Sequence, residues 1–139
     1  YAFEDKSRGY SSSIQFIIGT NPSGDILGLS ILSQEETPGL GTRVEEVVSK
    51  KYLWNGLVGE KEKAMPWFTS QFNGLNIYRS ISIDKGKEWH LLTDSEKDEY
   101  RDQNKISGIT GATISTNAVL TGIKKSIPNT LKDISTTQE

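Results

Sequence analysis

The segment 107–119 combines glycines, hydroxyl side chains and the start of an apolar-periodic helix. Gly108 and Gly111 allow the backbone to approach a ligand closely or to take a positive φ, and Ala112 adds almost no bulk. The first N–H groups of the following helix are unpaired and favour an anionic ligand. Four hydroxyl side chains follow Gly108 in the same stretch: Thr110, Thr113, Ser115 and Thr116. This chemistry is typical of a phosphate-binding turn, in which a threonine either binds the phosphate or is esterified to it.

A second glycine-bearing loop, Glu-Glu-Thr-Pro-Gly-Leu-Gly at 35–41, also precedes an apolar-periodic stretch. Pro38 and two glycines exclude the interior of a strand or a helix. Taken alone, either loop is most simply a tight connection with a helix cap. Together, the two loops would offer polar groups for a phosphate or ribityl chain and an apolar wall, Leu40 or Ile114, for a ring.

Composition limits the classes of protein that need to be considered. The chain has 139 residues, enough for one domain with one core, and its 34% hydrophobic residues favour a globular fold over disorder. A net charge of −2 argues against a nucleic-acid surface, which is usually basic. No cysteine is present, so disulfides and thiolate metal sites are excluded. No apolar run approaches the ~20 residues that cross a bilayer.

The pattern of apolar residues predicts a β-hairpin near the N-terminus. The runs 13–19 and 25–33 are rich in Ile, Leu and Phe and are joined by Thr-Asn-Pro-Ser-Gly. In the second run, Leu27, Leu29 and Ile31 alternate with small residues, which predicts that these three side chains share one buried face.

The rest of the chain predicts helices and strands around a single sheet. A helix is predicted from Val44, because Val47, Val48 and Tyr52 follow at helical spacing. Two short helices are predicted over 66–73, beginning at Pro66, and over 95–101. A fourth helix is predicted from the Gly-Ala-Thr turn to Pro128. Strands are predicted around 89–92 and over the stretch in which Ile77, Ile81 and Ile83 share a face. The expected fold is a single α+β domain with an antiparallel or mixed sheet and packed helices.

Three motifs in this order resemble those of a known family. They are Gly9-Tyr10, the loop Glu-Thr-Pro-Gly-Leu-Gly at 36–41, and the segment 107–119. The chain resembles, over about residues 8–124, the FMN-binding domain of RnfG, which belongs to the Rnf electron-transport complex. NqrC, which belongs to the Na⁺-translocating NADH:quinone reductase, shares that domain. The resemblance implies an FMN-binding domain over residues 1–128 and a C-terminal tail over 129–139.

The resemblance also implies that the FMN is covalent. In this family a flavin transferase moves the FMN moiety of FAD onto the last threonine of the pattern Asp-x-x-Ser/Thr-Gly-Ala-Thr, which is Thr113 here. Thr110, Gly111 and Ala112 match the preceding positions, whereas Ser107 stands where Asp is usual, which affects the expected efficiency of attachment. By resemblance, the other hydroxyls, Thr110, Ser115 and Thr116, become phosphate contacts.

Further cofactor contacts follow from the same resemblance. Residues of the second loop, Glu36, Thr37, Leu40 and Gly41, are expected to line the ribityl and ring region. Tyr10 and Ser11 are expected on the other side. From the residues alone, Leu40 has the alternative interpretation of a core leucine at a helix start, and Glu36 that of a solvated loop carboxylate.

The implied function is electron relay inside a membrane-bound, ion-translocating ferredoxin:NAD oxidoreductase. Its partners would be the other Rnf proteins of the complex and the flavin transferase, with no nucleic acid. The resemblance implies an N-terminal transmembrane helix that holds this domain on the extracytoplasmic side. Because the sequence begins at Tyr1 without Met, that helix is expected to belong to a missing N-terminal segment. No catalytic residue or metal site is expected.

Several alternatives stay open. The chain could be a non-covalent flavin-binding module with Thr113 as a helix cap, a part similar to NqrC, a stand-alone FMN-dependent reductase, or an interaction domain. His90 has no second metal ligand at suitable spacing, and Trp54, Trp67 and Trp89 are too scattered to form a flavin stack. The acidic residues of 94–102 lack the spacing of a calcium loop and predict a solvated helix face.

Overall fold

The computed structural model describes residues 1–36, 41–45 and 66–137. The side chains of these residues are described too, except those of Thr42 and of 126–137. The strands are β1 (Ala2–Arg8), β2 (Ser13–Thr20), β3 (Ile26–Ser33), β4 (Ser82–Asp84) and β5 (Lys105–Ser107). The α-helices are α1 (Trp67–Ser70), α2 (Asp94–Asp102) and α3 (Thr113–Thr137), with 3-10 helices at Gly41–Glu45 and Trp89–Leu91. The mixture confirms the predicted α+β class.

An antiparallel sheet in the order β1-β2-β3 forms one side of the molecule. The predicted hairpin is confirmed as β2 and β3, and Gly24 takes a φ of 85° in the turn between them. The predicted face of β3 is wrong at Leu27, which is 61% exposed. Because Gly19 pairs with Gly28 while Thr20 pairs with Ile26, Leu27 is the extra residue of a β-bulge, which interrupts the alternation. The charged strand β1 was not predicted.

A second sheet consists of β4 and β5, which run parallel and end next to the segment 108–112. The predicted strand through Ile77 and Ile81 is much shorter than expected: both side chains are buried, but the strand itself covers only Ser82–Asp84. The strand predicted over 89–92 is wrong. The backbone closes a 3-10 turn there, with N–H groups donating to carbonyls three residues earlier, and this turn buries Trp89 and Leu92 on one side.

The helices agree with the sequence more closely at their starts than at their ends. Pro66 is the N-cap of α1, and Thr93 and Glu96 form a capping box that begins α2. The helix α3 begins at Thr113 but continues through Pro128 to Thr137, so the predicted end was wrong. An interior proline removes one backbone hydrogen bond and kinks a helix without having to terminate it.

Of the helix predicted from Val44, only the 3-10 turn up to Glu45 is described. Val47, Val48, Tyr52 and also Trp54 lie outside the described residues.

The helix α3 packs across β1 and β2. Gly122 permits this close approach, because a Cβ there would lie 2.8 Å from the Phe16 ring. Phe16 itself is fully buried in one apolar cluster together with Ile123. The packing places the N-terminus of α3 beside the turn that joins β1 to β2. Within the described ranges, no helix has the length and apolar character needed to cross a bilayer.

Candidate functional site

A tight turn connects β5 to α3 and is called here the Thr110 turn, residues 109–112. The N–H of Ala112 donates to the carbonyl of Ile109 at 3.0 Å, and Gly111 takes a φ of 78°. That φ lies in the left-handed region, where glycine is favoured. The turn delivers the chain into the first residue of α3, Thr113.

The four hydroxyls predicted for a phosphate site divide into two exposed and two buried groups. Thr110 and Thr113 are exposed, whereas Ser115 and Thr116 are buried. The Thr116 hydroxyl accepts from the Ile109 N–H at 3.2 Å and donates to the Ala112 carbonyl at 3.1 Å, so it holds the Thr110 turn together. The Ser115 hydroxyl donates to Glu36. Neither buried hydroxyl faces solvent.

Thr113 lies at the exposed start of α3. Its side chain is exposed and makes no hydrogen bond within the part of the chain that the structure describes. The N–H groups of Thr113, Ile114 and Ser115 are likewise unpaired among the described residues, as expected for the start of a helix. No acidic residue lies in the first turn of α3. This end of the helix therefore suits an anion, and Ile114, 51% exposed, adds an apolar surface beside it.

Glu36 is a buried carboxylate rather than a solvated one. It is only 4% exposed and accepts five hydrogen bonds, from the N–H groups of Tyr10, Ser11 and Ser12 and from the hydroxyls of Ser12 and Ser115. The bond from Ser115 is 2.6 Å long. Glu36 thus fastens the β1–β2 turn to the first turn of α3.

The surroundings of Glu36 favour its charged form. Burial raises the pKa of this carboxyl, but the hydrogen bonds from Ser115, Ser12, Tyr10 and Ser11 outweigh burial and lower the pKa overall. Two glycines leave room for the group: a Cβ at Gly9 or Gly41 would lie 2.5 Å from Glu36 atoms.

Glu88 is a second buried carboxylate, and the sequence reasoning missed it. It is 8% exposed and forms a two-pronged ion pair with Arg43, with distances of 2.7 and 2.8 Å. It also accepts the N–H of Thr110 at 2.9 Å. Burial raises the pKa of Glu88, but Arg43 and Thr110 outweigh it and lower the pKa to about 2.

Ser107 lies deep in the fold, at the end of β5. It is fully buried, and its hydroxyl has no hydrogen-bond partner among the described residues. The side-chain amide of Gln71, also fully buried, accepts the Ser107 N–H at 2.7 Å and donates to its carbonyl at 3.1 Å. Gln71 therefore replaces a neighbouring strand at the point where the chain leaves β5.

The remaining predicted site residues are placed as follows. Tyr10 is 69% exposed and its N–H shares the Glu36 oxygen Oε2 with the Ser115 hydroxyl, so the two donors lie close together. Ser11 is also near this point, and its hydroxyl donates to the Glu35 carbonyl at 3.3 Å. Gly41 is buried at the start of a 3-10 helix. Thr37 and Leu40 lie outside the described residues.

His90 and the described tryptophans pack inside the fold. The His90 ring lies 5.0 Å from the Trp67 ring, and its Nδ1 is 3.7 Å from a Glu88 oxygen. Trp89 is buried and lies beneath Arg101 at 5.3 Å. Within the described residues, no three His, Cys, Asp or Glu side chains come together as a metal site.

The fold and the site define a class: a single α+β domain that presents an exposed threonine at a helix N-terminus suited to an anion. The model of the family described as the FMN-binding domain matches residues 9–128, most of the chain. The chain belongs to this family.

Comparison with individual proteins agrees with the family. The chain is 34% identical over 116 residues to the G subunit of the ion-translocating oxidoreductase complex of Shewanella piezotolerans, covering 84% of this chain and 41% of that protein. It is 31% identical over 127 residues to the protein of the same name from Haemophilus influenzae, covering 91% of this chain and 47% of that protein. The chain thus spans less than half the length of these relatives.

Solved structures share the fold. The C subunit of the Na⁺-translocating NADH-quinone reductase from Parabacteroides distasonis superposes with a TM-score of 0.62 at 22% identity, over 95% of this chain and 55% of that one. NqrC from Shewanella oneidensis gives the same TM-score at 16% identity, over 95% of this chain and 54% of that one. These matches confirm the α+β architecture.

Proposed function

We propose that this domain carries one FMN, esterified through its phosphate to the Thr113 hydroxyl, and that it relays electrons as part of an ion-translocating oxidoreductase complex. The observation that carries the proposal is the contrast among the hydroxyls. Thr113 is exposed and unbonded within the described chain, whereas Ser115 and Thr116 are buried and engaged. Membership of the FMN-binding domain family names the cofactor.

The chain's own groups fit an FMN phosphate at this position. The N–H groups that open α3 are available to the phosphate oxygens, and the absence of acidic side chains from the first turn avoids repulsion of a dianion. Gly111 is exposed and adds no side chain next to the phosphate. When bound, FMN supplies the redox chemistry, and the protein binds and orients it.

Attachment requires a simple group transfer. The Oγ of Thr113 forms a new bond to the phosphorus of the FMN half of FAD, the pyrophosphate bond breaks, AMP leaves, and the hydroxyl proton goes to solvent or to a base of the transferase. A covalent bond keeps the carrier loaded through repeated redox cycles and leaves the flavin ring unmodified.

A role for Thr113 as a helix cap alone fits the geometry less well. An N-cap residue precedes the first helical residue, and its side chain accepts from an N–H in the first turn. Thr113 is itself the first residue of α3, and its hydroxyl accepts no such bond from the described residues. This favours the covalent function over a non-covalent module.

The names of the curated relatives support a place in a complex like theirs, in the position of the G subunit. We further propose that the other proteins of an Rnf-type membrane complex are the partners and that a flavin transferase matures the domain. An N-terminal membrane anchor outside this sequence would then hold the domain, residues 1–128, on the extracytoplasmic side.

The test is the intact mass of the chain produced with and without a co-expressed flavin transferase. We expect a gain of one FMN moiety that requires the transferase, is lost in Thr113→Ala and is retained in Thr110→Ala, which removes the exposed hydroxyl three residues earlier. Loss of the gain in Thr110→Ala with retention in Thr113→Ala would overturn the assignment. No gain in the unmodified chain would overturn covalent attachment, and an FMN titration would then decide whether the domain binds the cofactor reversibly.

A further inference from the structure

The ion pair between Arg43 and Glu88 binds both backbone polar groups of Thr110, its N–H and its carbonyl. Glu88 accepts the Thr110 N–H at 2.9 Å, and Arg43 donates to the Thr110 carbonyl at 3.1 Å. The same Arg43 nitrogen donates to Glu88 at 2.7 Å, so hydrogen bonds connect Arg43, Glu88 and Thr110 in a ring. Arg43 comes from the 3-10 helix after the second loop, and Glu88 precedes the 3-10 helix Trp89–Leu91.

The pair replaces the secondary structure that Thr110 lacks. Thr110 lies beyond the end of β5 and before the start of α3, so neither a strand ladder nor a helix holds it. Its side chain is exposed, and its backbone N–H and carbonyl are held by Glu88 and Arg43. The other anchor of the turn, the Thr116 hydroxyl, holds Ile109 and Ala112.

The pair also suits a phosphate nearby. An unpaired carboxylate bound to the residue three positions before Thr113 would repel a dianion. Arg43 neutralises it through a two-pronged bond. A lysine has no planar fork and would not bind Glu88 in this way while also reaching Thr110.

We propose that Arg43 and Glu88 are positioning residues for flavin attachment: they hold the Thr110 turn so that the Thr113 hydroxyl meets the pyrophosphate of FAD in the right geometry. This inference rests on the proposed function and deepens it. Neither residue needs to touch the cofactor, because both act through the backbone of the turn.

The experiment measures transferase kinetics with the chain as varied substrate and FAD saturating, using intact mass as the readout. The variants are Arg43→Lys, Glu88→Ala and Glu88→Gln. The matched control is Arg101→Ala, which removes an arginine that pairs with Asp98 on α2. Amide exchange at Thr110 is followed in the same proteins by NMR before any flavin is attached.

A misplaced hydroxyl lowers kcat, since small errors in position slow a reaction by up to about a hundredfold. We expect kcat to fall about tenfold or more in Glu88→Ala and Arg43→Lys. KM should change little, because the exposed side chains of the Thr110 turn and of the start of α3 are not substituted. Glu88→Gln keeps an oxygen for the Thr110 N–H and should recover part of the rate. Arg101→Ala should stay within about twofold of the unmodified chain.

Partial unfolding would give a different result. It would reduce the concentration of usable substrate, so apparent KM would rise while kcat at saturation stayed unchanged. That pattern, or unmodified kcat in Glu88→Ala and Arg43→Lys, would overturn the inference while leaving the proposed function intact. Undiminished protection of the Thr110 amide in Glu88→Ala would also overturn it. If the unmodified chain accepted no FMN, the proposed function would fail, and the inference with it.

Discussion

Two buried carboxylates hold the region around the start of α3, and they are stabilised in different ways. Glu36 accepts five hydrogen bonds from uncharged groups and has no cationic partner in the described part of the chain. Glu88 is paired with the guanidinium of Arg43 and takes one backbone bond. The first fastens a sheet turn to α3, and the second fastens the Thr110 turn.

The difference predicts how many interactions are lost when each carboxylate or its partner is substituted. Glu36 depends on several donors already arranged around it, so one substitution at Glu36 would leave many polar groups without a partner. Glu88 depends mainly on one side chain, and a carboxylate that loses its cation is costly when buried. Glu36 is therefore a structural junction between the β1–β2 turn and α3, whereas Glu88 with Arg43 holds only the Thr110 turn.

The largest effect is expected at the junction. Glu36→Ala removes the acceptor for three N–H groups and two hydroxyls. The free energy of unfolding should fall by about 4 kcal/mol, since bonds to charged groups are worth about 1.5–3 kcal/mol each and solvent recovers part of the loss. Urea denaturation measures the change.

The matched control for that prediction is Glu35→Ala, which removes an exposed carboxylate next in the chain. It should change stability by no more than about 0.5 kcal/mol. Equal losses in the two variants would contradict the contrast between a buried junction and a surface charge.

The second prediction concerns the pH dependence of stability that Glu88 contributes. The pKa of Glu88 is lowered from 4.5 to about 2, so its contribution to stability is complete above about 4.5 and is lost as the pH falls through the folded value. That difference corresponds to about 3 kcal/mol lost between pH 4.5 and 2. In Glu88→Gln this part of the acid dependence should disappear.

Chemical denaturation over that pH range provides the measurement. Lys85→Ala, which removes an exposed ammonium three residues away, is the control and should keep the acid dependence of the unmodified chain. A Glu88→Gln profile as steep as that of the unmodified chain would show that the Arg43 pair does not perturb Glu88.

The smallest effect tests the space around Glu36. A Cβ at Gly9 would lie 2.5 Å from a carboxylate oxygen of Glu36, so Gly9→Ala forces the carboxylate to move and should cost about 2 kcal/mol. Gly28→Ala is the matched control, because no atom lies within 4 Å of its added Cβ. Thermal unfolding compares the two, and equal midpoints would contradict the tight packing at the junction.

The features readable from the sequence are those set by neighbouring residues. The turn before α3 was predicted because glycines, hydroxyls and helical periodicity follow each other within 107–119. The same holds for the hairpin of β2 and β3. Leu27 was misplaced because a single bulge residue shifts the face of every residue beyond it, and no local pattern indicates the bulge.

The features that sequence reasoning missed depend on distant contacts. Arg43 and Glu88 are 45 residues apart, and Gln71 and Ser107 are 36 apart, so neither pair leaves a local pattern. The burial of Ser115 and Thr116 could have been inferred from position, because residues three or four apart from Ala112 and Val119 share the inner face of α3. The family resemblance placed all hydroxyls near the phosphate, and it did not distinguish inner from outer ones.

The central claim is that Thr113 is the residue that receives the flavin. The most direct measurement is peptide mapping by mass spectrometry of the chain after reaction with the transferase and FAD, with fragmentation that locates the added group. We predict one FMN moiety on Thr113 and none on Thr110, Ser115 or Thr116. A flavin on any of those three residues, or a peptide without flavin from a reaction that loads a known acceptor, would contradict the claim.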